Sequence, residues 1–262
     1  MLARQRELRY TTSMLPEGSS LPPHPDLQRY YRAGEKQQFV RQIFDASAPD
    51  YERVEKLMSL GTGAWYRRRA LRRHGLPCGQ RVLDVAIGTG LVARETLRLA
   101  QDGVFLVGLD PSVGMLHEAR KRGRVSVVAG FGEKMPFPEA TFDCLTMGYA
   151  LRHLPDLLVA FREFHRVLRP GGKLLILEIT PPRRGLGKAL LKAYIRSLTA
   201  TAARLVTRHR TTAELWRYFW DTMEACVPPE KVMAALSDAG FAQVSRFLEL
   251  GIFSEYTAVK PG

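Results

Sequence analysis

From Arg81 onward the chain alternates between two hydrophobic patterns. Short apolar runs, RVLDVA, VFLVGLD, RVSVVAG, FDCLTMGY and KLLILEIT, are separated by segments whose apolar residues recur at helical spacing. Strands alternating with helices predict a parallel sheet, since parallel neighbours need a crossover and a helix supplies it. The runs are apolar at successive positions, which fits strands covered by helices on both faces. In DLLVAFREFHRVL, Leu157, Phe161, Phe164 and Leu168 form one stripe opposite Arg162, Glu163 and Arg166, and Arg169-Pro170-Gly171-Gly172 reads as the helix stop. Near the end, AQVSRFLEL and GIFSEYTAV are joined by little more than Gly251, so they predict an antiparallel hairpin.

Upstream the pattern is helical only. Phe39, Ile43, Phe44, Val54, Leu57 and Met58 predict two or three short helices, a cap over residues 38–78. Residues 1–37 mix Arg, Ser, Pro and Gly with no hydrophobic period and predict a poorly ordered arm. Residues 79–262 form the α/β domain, interrupted by a basic helical insertion at about 183–226. Within it, residues 181–210 hold eight Lys or Arg and no Asp or Glu. Lys188, Lys192 and Arg196 follow at four-residue steps beside Leu190, Leu191, Tyr194 and Ile195, a basic amphipathic helix.

Composition narrows the setting. With 262 residues, 45% of them hydrophobic, the chain can bury a substantial core. Its cysteines, Cys78, Cys144 and Cys226, stand far apart without metal or disulfide spacing, so a reducing compartment and no metal are expected. No apolar run has the length of a signal peptide or a membrane span, so a cytoplasmic location is expected. The net charge of +13 would draw the chain to anionic surfaces. No nucleic-acid motif accompanies that charge, so no specific nucleic acid is expected. The basic helix predicts peripheral contact with an anionic membrane on its inner face. A solvated helix face explains the same residues.

The candidate chemistry begins at DVAIGTGLVA, which follows the first strand and opens a helix. Gly88 and Gly90 suit a tight turn that brings a ligand to a helix N-terminus, and Asp110 ends the second strand where a carboxylate can accept from ribose hydroxyls. The spacing fits either NAD or S-adenosylmethionine. Asp84 before the turn, GEKMPFPEATFD after the third strand and the terminal hairpin favour the second, since a nicotinamide enzyme more often carries a second mononucleotide half.

These motifs, with FDASAPDYERVEKLMSLGTGAW, GLDPSVGMLHEAR, ALRHLPDL, RVLRPGGKLLILEITPP and the late DAGF, resemble the ubiquinone and menaquinone C-methyltransferases of UbiE type. The resemblance runs from about Phe44 to the C-terminus. It implies a Rossmann-like class I methyltransferase fold: a seven-stranded, mostly parallel sheet with an antiparallel C-terminal strand and helices on both faces. The cofactor implied is S-adenosylmethionine. Thr89 and the glycine-turn backbone would hold its methionine part, Asp110 its ribose, and Tyr51 would close the cap over it. Asp84, Pro111, Met115 and Glu133 complete the implied cofactor set with three departures from the family pattern. Phe131-Gly132 stands for Asp-Ala or Asn-Ala beside the adenine, where Phe131 would stack on the ring. Gly148 stands where serine is common, and Tyr51-Glu52-Arg53-Val54-Glu55 replaces Tyr-Asp-x-x-Asn.

In GYALRHLPD, Arg152 matches the arginine of the family's LRN motif and would stabilise a phenolate in the acceptor pocket. His153 replaces the usual asparagine, and the near-neutral pKa of histidine suits a general base. The bland alternative pairs Arg152 with Asp156 at i+4 and turns His153 to solvent. Tyr149 is a further catalytic candidate, Glu178 would orient Arg152 or be structural, and Trp216, Tyr218 and Phe219 would line an apolar pocket or simply pack. The reaction implied is C-methylation of a quinol or related lipidic phenol. O- or N-methylation of a phospholipid or secondary metabolite, and a non-catalytic cofactor-binding scaffold in quinone biosynthesis, are the alternatives.

Overall fold

The computed structural model describes residues 20–77, 79, 81–100, 103–123, 125–182, 184–205 and 210–262. Residues 1–19 of the expected arm, Cys78, and Arg183 and Arg208 of the basic segment lie outside the described residues, as does the side chain of Arg196. Three helices come first: α1 (Lys36–Ser47), α2 (Tyr51–Met58) and α3 (Gly63–Arg73). Strands β1 (Arg81–Val85), β2 (Phe105–Asp110), β3 (Ser126–Ala129) and β4 (Phe142–Gly148) then alternate with α4 (Leu91–Leu99) and α5 (Val113–Arg122), and α6 (Leu157–Val167) leads into β5 (Leu168–Ile179). After α7 (Leu186–Leu205), α8 (Arg210–Ala225) and α9 (Pro229–Asp238), the hairpin β6 (Ala242–Glu249) and β7 (Phe253–Val259) closes the chain.

The strands form one seven-stranded sheet in the order β3-β2-β1-β4-β5-β7-β6, in which β7 is antiparallel to both neighbours. This is the Rossmann-like class I arrangement expected. Both sheet faces are buried, and side-chain alternation shows it on one strand: Leu174 and Ile176 pack with Phe161 and Phe164, whereas Leu175 and Leu177 pack with Leu71, Ala93 and Leu116. The strand order reverses between the parallel neighbours β1 and β4, and open α/β sheets bind ligands in the crevice at such a switch point.

Local chemistry fixes the helix starts. Ser112 accepts from the Met115 N–H at 3.1 Å and Asp156 from the Val159 N–H at 3.0 Å, each satisfying an orphan donor of the first turn. At the first turn, Gly90 has φ +85°, a left-handed conformation costly for a residue with a Cβ. The run Arg169–Gly172 does more than stop α6: the helix ends at Val167 and the chain is already counted in β5 from Leu168. The pairing with β4 shifts register between Phe142 and Cys144, which absorbs the Pro-Gly-Gly irregularity.

Two expectations change. The described part of the arm is not loose: Leu21 O accepts from Leu157 N at 2.9 Å, Pro23 O accepts from Val227 N at 2.7 Å, and Tyr31 packs with Val40, Ile43, Leu215 and Tyr218. Its apolar residues have no period of their own because they fill gaps between elements distant in sequence. The basic stripe is also partly neutralised, since Lys188 and Lys192 lie 2.8 and 3.3 Å from Glu224 of α8. These lysines pull the Glu224 carboxyl down to about 2. The cap and the insertion, far apart in sequence, form a shared roof: α1 packs on α8 and α2 on α7, with Val54, Ile195, Trp216, Phe219 and Met223 in one apolar cluster.

Candidate active site

Between that roof and the C-terminal ends of the strands lies a cavity of about 410 Å³. Its floor comes from the turns after β1 and β2. Asp84, at the end of β1, accepts from the Thr146 hydroxyl at 2.8 Å through Oδ1, while its Oδ2 is buried without a partner. Burial pushes its carboxyl up to about 7. Asp110, at the end of β2, accepts from the Gly88 N–H at 2.9 Å and the Ser112 N–H at 2.8 Å, and burial pushes it up to about 6 against those bonds. Thr89 lines the cavity with its Oγ1 buried and unpartnered. Pro111, Met115, Gly132 and the partly exposed Phe131 continue the floor, and Glu133 beside them accepts from the Gln37 amide.

Gly90 is the one member of the expected cofactor set that does not line the cavity; it shapes the turn that presents Gly88 and Thr89. Gly148, at the end of β4, does line it, and a Cβ there would lie 2.6 Å from Val92 Cγ2. A serine at this position would therefore need the Val92 side chain to shift. Tyr149, next along, is held at φ +61°, a conformation costing a non-glycine residue roughly 1–2 kcal/mol. Its amide donates to Leu177 O at 2.7 Å, and burial raises its phenol above the ordinary value. Strain at a cavity-lining residue is where function is to be sought.

The basic pair splits. Leu151–His153 form a single 3-10 turn, in which consecutive side chains point about 120° apart, so Arg152 and His153 cannot share a face. His153 faces the cavity. Its ring stacks on Tyr218 at 5.6 Å and meets Phe44 edge-on at 5.2 Å, and both ring nitrogens are buried without partners. Burial, assisted by the charge on Arg152, pushes its pKa well below the ordinary histidine range. The near-neutral pKa expected of His153 is thus corrected downward by its burial.

Arg152 is fully buried and does not line the cavity. Its Nη1 donates to Glu178 at the end of β5, and its guanidinium carbon sits 3.8 Å from the centre of the Phe219 ring. Asp156, the partner in the bland alternative, instead accepts from Ser20, Leu21 and Val159. The expected direct oxyanion contact by Arg152 is therefore corrected: the arginine braces the wall from behind, oriented by Glu178. Burial raises the Glu178 carboxyl despite that partner.

Tyr51, Trp216 and Phe219 supply the aromatic roof, with Tyr51 stacked on Trp216 at 6.3 Å. Burial pushes the Tyr51 phenol up to about 12. Tyr218 belongs to the layer behind, against Tyr30 and Phe39. Two lining residues were not singled out as charged site groups: Arg67 of α3, 3% exposed, and Glu55 of α2, which accepts from Arg67 Nη2. The signal was present in helical phase. Arg67 shares the buried stripe of Ala70 and Leu71 in GAWYRRRALRR, where its neighbours Arg68 and Arg69 do not.

S-Adenosylmethionine fits this floor. Asp84 Oδ2 and Thr89 Oγ1 are buried polar atoms still lacking partners, and a buried carboxylate calls for a cation such as the donor's ammonium. A doubly wound sheet closed by an antiparallel strand, with a glycine turn and two strand-end carboxylates at its switch point, is the fold of the class I S-adenosylmethionine-dependent methyltransferases, and the family match places the chain among them. Residues 32–260 match the ubiE/COQ5 methyltransferase family, and the chain belongs to it. It is 33% identical over 235 residues to the ubiquinone/menaquinone biosynthesis C-methyltransferase UbiE of Pseudomonas paraeruginosa (strain DSM 24068 / PA7), covering 87% of this chain and 91% of that one. It is 34% identical over 223 residues to the demethylmenaquinone methyltransferase of Mycobacterium sp. (strain KMS), covering 85% and 94%.

Solved structures share the fold. A SAM-dependent methyltransferase from Aquifex aeolicus superposes with a TM-score of 0.57 at 20% identity, covering 79% of this chain and 97% of that one. Phosphoethanolamine N-methyltransferase 2 of Haemonchus contortus, solved with S-adenosylhomocysteine, gives 0.60 at 17% identity, covering 85% and 60%. Among the described residues, no helix is long and apolar enough to cross a membrane.

Proposed function

We propose that this methyltransferase methylates a ring carbon of a reduced, prenylated quinone, as the names of its UbiE and demethylmenaquinone relatives suggest. The observation that carries the reading is the roof. Phe44, Tyr51, Trp216, Phe219, Leu191 and Ile195 line the cavity opposite the carboxylate floor, an aromatic and aliphatic surface suited to a flat ring with an apolar tail.

Bound S-adenosylmethionine supplies a methyl group on a sulfonium, which departs as a neutral sulfide. Asp84, Thr89 and the Gly88 backbone would hold its methionine part, with Gly148 leaving room beside them. Asp110 would accept from the ribose, Phe131, Gly132 and Glu133 would meet the adenine, and Pro111 and Met115 would pack against it. The chain's own share of the reaction is placement and exclusion of water. Tyr149, held in its strained conformation at the end of β4, would orient the acceptor's hydroxyl. Neutral His153 would accept a hydrogen bond from it without adding a positive charge. Arg152, one layer back, would bias the acceptor's hydroxyl towards ionisation through its field rather than by contact.

The test is incubation with S-adenosylmethionine and dithionite-reduced demethylmenaquinone, followed by mass spectrometry. The expected product is one CH2 heavier and still oxidises to a quinone. A product that can no longer be oxidised to a quinone means O-methylation and defeats the C-methylation reading; cofactor binding without turnover favours the scaffold.

Such an acceptor resides in lipid, and the cavity's rim suits delivery from it. Leu60, Trp65 and Leu250 line the cavity yet are 71%, 55% and 74% exposed, and Leu186 and Leu190 on α7 are also exposed. Arg69 lies over the Trp65 ring at 5.3 Å. Apolar side chains edged by cations suit peripheral binding to an anionic leaflet on the cytoplasmic side. Flotation with vesicles containing phosphatidylglycerol should recover the protein at low salt, and Trp65→Ala with Leu60→Ser should reduce the floated fraction. Equal recovery with neutral vesicles would sink this reading.

A further inference from the structure

The cavity's charges are lopsided. Its lining includes the carboxylates of Glu55, Asp84, Asp110 and Glu133, and among the described lining residues the only Lys or Arg is Arg67. This arginine is 3% exposed and comes from α3 of the roof. Its Nη2 donates to Glu55, while its Nε is buried with no hydrogen-bond partner. The Tyr149 ring lies 5.8 Å from the guanidinium carbon, and the field of Arg67 reaches the Asp84 carboxyl below.

A buried guanidinium with an unsatisfied N–H is a costly arrangement unless something anionic completes it. Besides its sulfonium, the methionine part of the methyl donor carries an α-ammonium and an α-carboxylate at neutral pH. Asp84 answers the first. A carboxylate entering a pocket already lined by four others would be repelled unless a cation received it. We propose that Arg67 is that cation: it binds the α-carboxylate of the methyl donor, so that Asp84 and Arg67 together read the zwitterion. The assignment rests on S-adenosylmethionine as the cofactor of this cavity. Its consequence is mechanical as well as electrostatic, because a donor held by Asp84 from β1 and by Arg67 from α3 joins the floor to the roof. Glu55 is then a positioning residue, keeping the guanidinium in place before the donor arrives.

A thermodynamic cycle tests this without turnover. S-Adenosylhomocysteine and its decarboxylated analogue, 5′-S-(3-aminopropyl)-5′-thioadenosine, are titrated calorimetrically into the wild-type protein, Arg67→Gln and Arg67→Lys. The wild type should prefer the carboxylate-bearing ligand by about tenfold or more, the worth of one charge-assisted hydrogen bond. Arg67→Gln should bring the preference to within about threefold by weakening only that ligand. Arg67→Lys, which keeps a charge but loses the planar fork, should fall between the two. An unchanged preference in either variant overturns the proposal, and so does an equal loss for both ligands, which would assign Arg67 to the roof's architecture or to the acceptor. Should Arg67→Gln fail to fold by circular dichroism, Arg67→Lys decides. Failure of the cofactor reading is distinguishable, because the wild type would then bind neither nucleoside.

Discussion

The floor of the cavity is made of carboxylates and backbone N–H groups, contributed by the turns that follow successive strands of one sheet, whereas its roof is made of rings and one buried guanidinium drawn from helices more than a hundred residues apart. In the floor, carboxylates are positioned by hydrogen bonds, as in Asp110 to Gly88 and Ser112 and Asp84 to Thr146. In the roof, position comes from packing, as in Trp216 against Tyr51 and Phe219. The contrast teaches where tolerance should lie. A floor substitution changes charge at a fixed point and should alter cofactor binding, while a substitution among the rings of the roof changes volume and should alter acceptor binding; Arg67, the roof's buried guanidinium, falls on the cofactor side of this division.

The strongest challenge to this division is the joint between the regions. Glu178→Ala removes the partner of Arg152 and leaves a buried charge uncompensated beneath Phe219, so a loss of about 3–5 kcal/mol in urea unfolding is expected. A loss below about 1 kcal/mol would mean that the Arg152–Glu178 pair does not brace the wall.

Asp84→Asn tests the floor. Removing this charge should weaken S-adenosylhomocysteine by about 10–100-fold in calorimetry, with acceptor KM little changed. Stability should move the other way. The folded carboxyl, at about 7, lies above its unfolded value of 3.8, so the folded state binds the extra proton between those values. Stability from this group is therefore present below about pH 4 and is lost as pH rises to 7. Asp84→Asn should raise the melting temperature at pH 8 and leave it nearly unchanged at pH 4. Cofactor affinity in the wild type should also weaken as pH falls below 7, where Asp84 takes up its proton.

For the roof, Trp216→Ala should raise the acceptor KM about tenfold, the worth of a lost aromatic contact, while S-adenosylhomocysteine affinity stays within about twofold. Equal losses for both ligands would erase the distinction between the regions. The smallest effect is expected at His153→Asn, which restores the residue common in the family. Because His153 is already neutral in the working range, turnover should change less than about threefold and the pH profile should show no lost limb near neutrality. A limb near pH 6.5 that vanishes in the variant would return His153 to the role of base.

The same division governs what could be read in advance. The floor was legible: DVAIGTG after an apolar run and Asp110 at the end of the next specify a turn, a helix start and two strand-end carboxylates through residue types and spacings that short stretches of sequence display. The roof was legible only as helices. That Arg67 rather than Arg68 or Arg69 enters the cavity is a matter of helical phase, visible in the stripe with Ala70 and Leu71 but without meaning until α3 has something to cover. For Arg152 the family motif pointed to the acceptor, while the geometry of a three-residue turn sent it to Glu178 instead.

By itself the sequence determined the sheet, its crossovers, the closing hairpin and the carboxylate floor, because strand and helix periods and turn residues act over short stretches of chain. Only the tertiary structure decided that Lys188 and Lys192 spend charge on Glu224, that His153 is stripped of its near-neutral pKa, that residues 20–35 pack rather than trail, and which arginine lines the cavity. Those outcomes depend on desolvation and on partners many residues distant, and neither exists until the roof has closed over the floor.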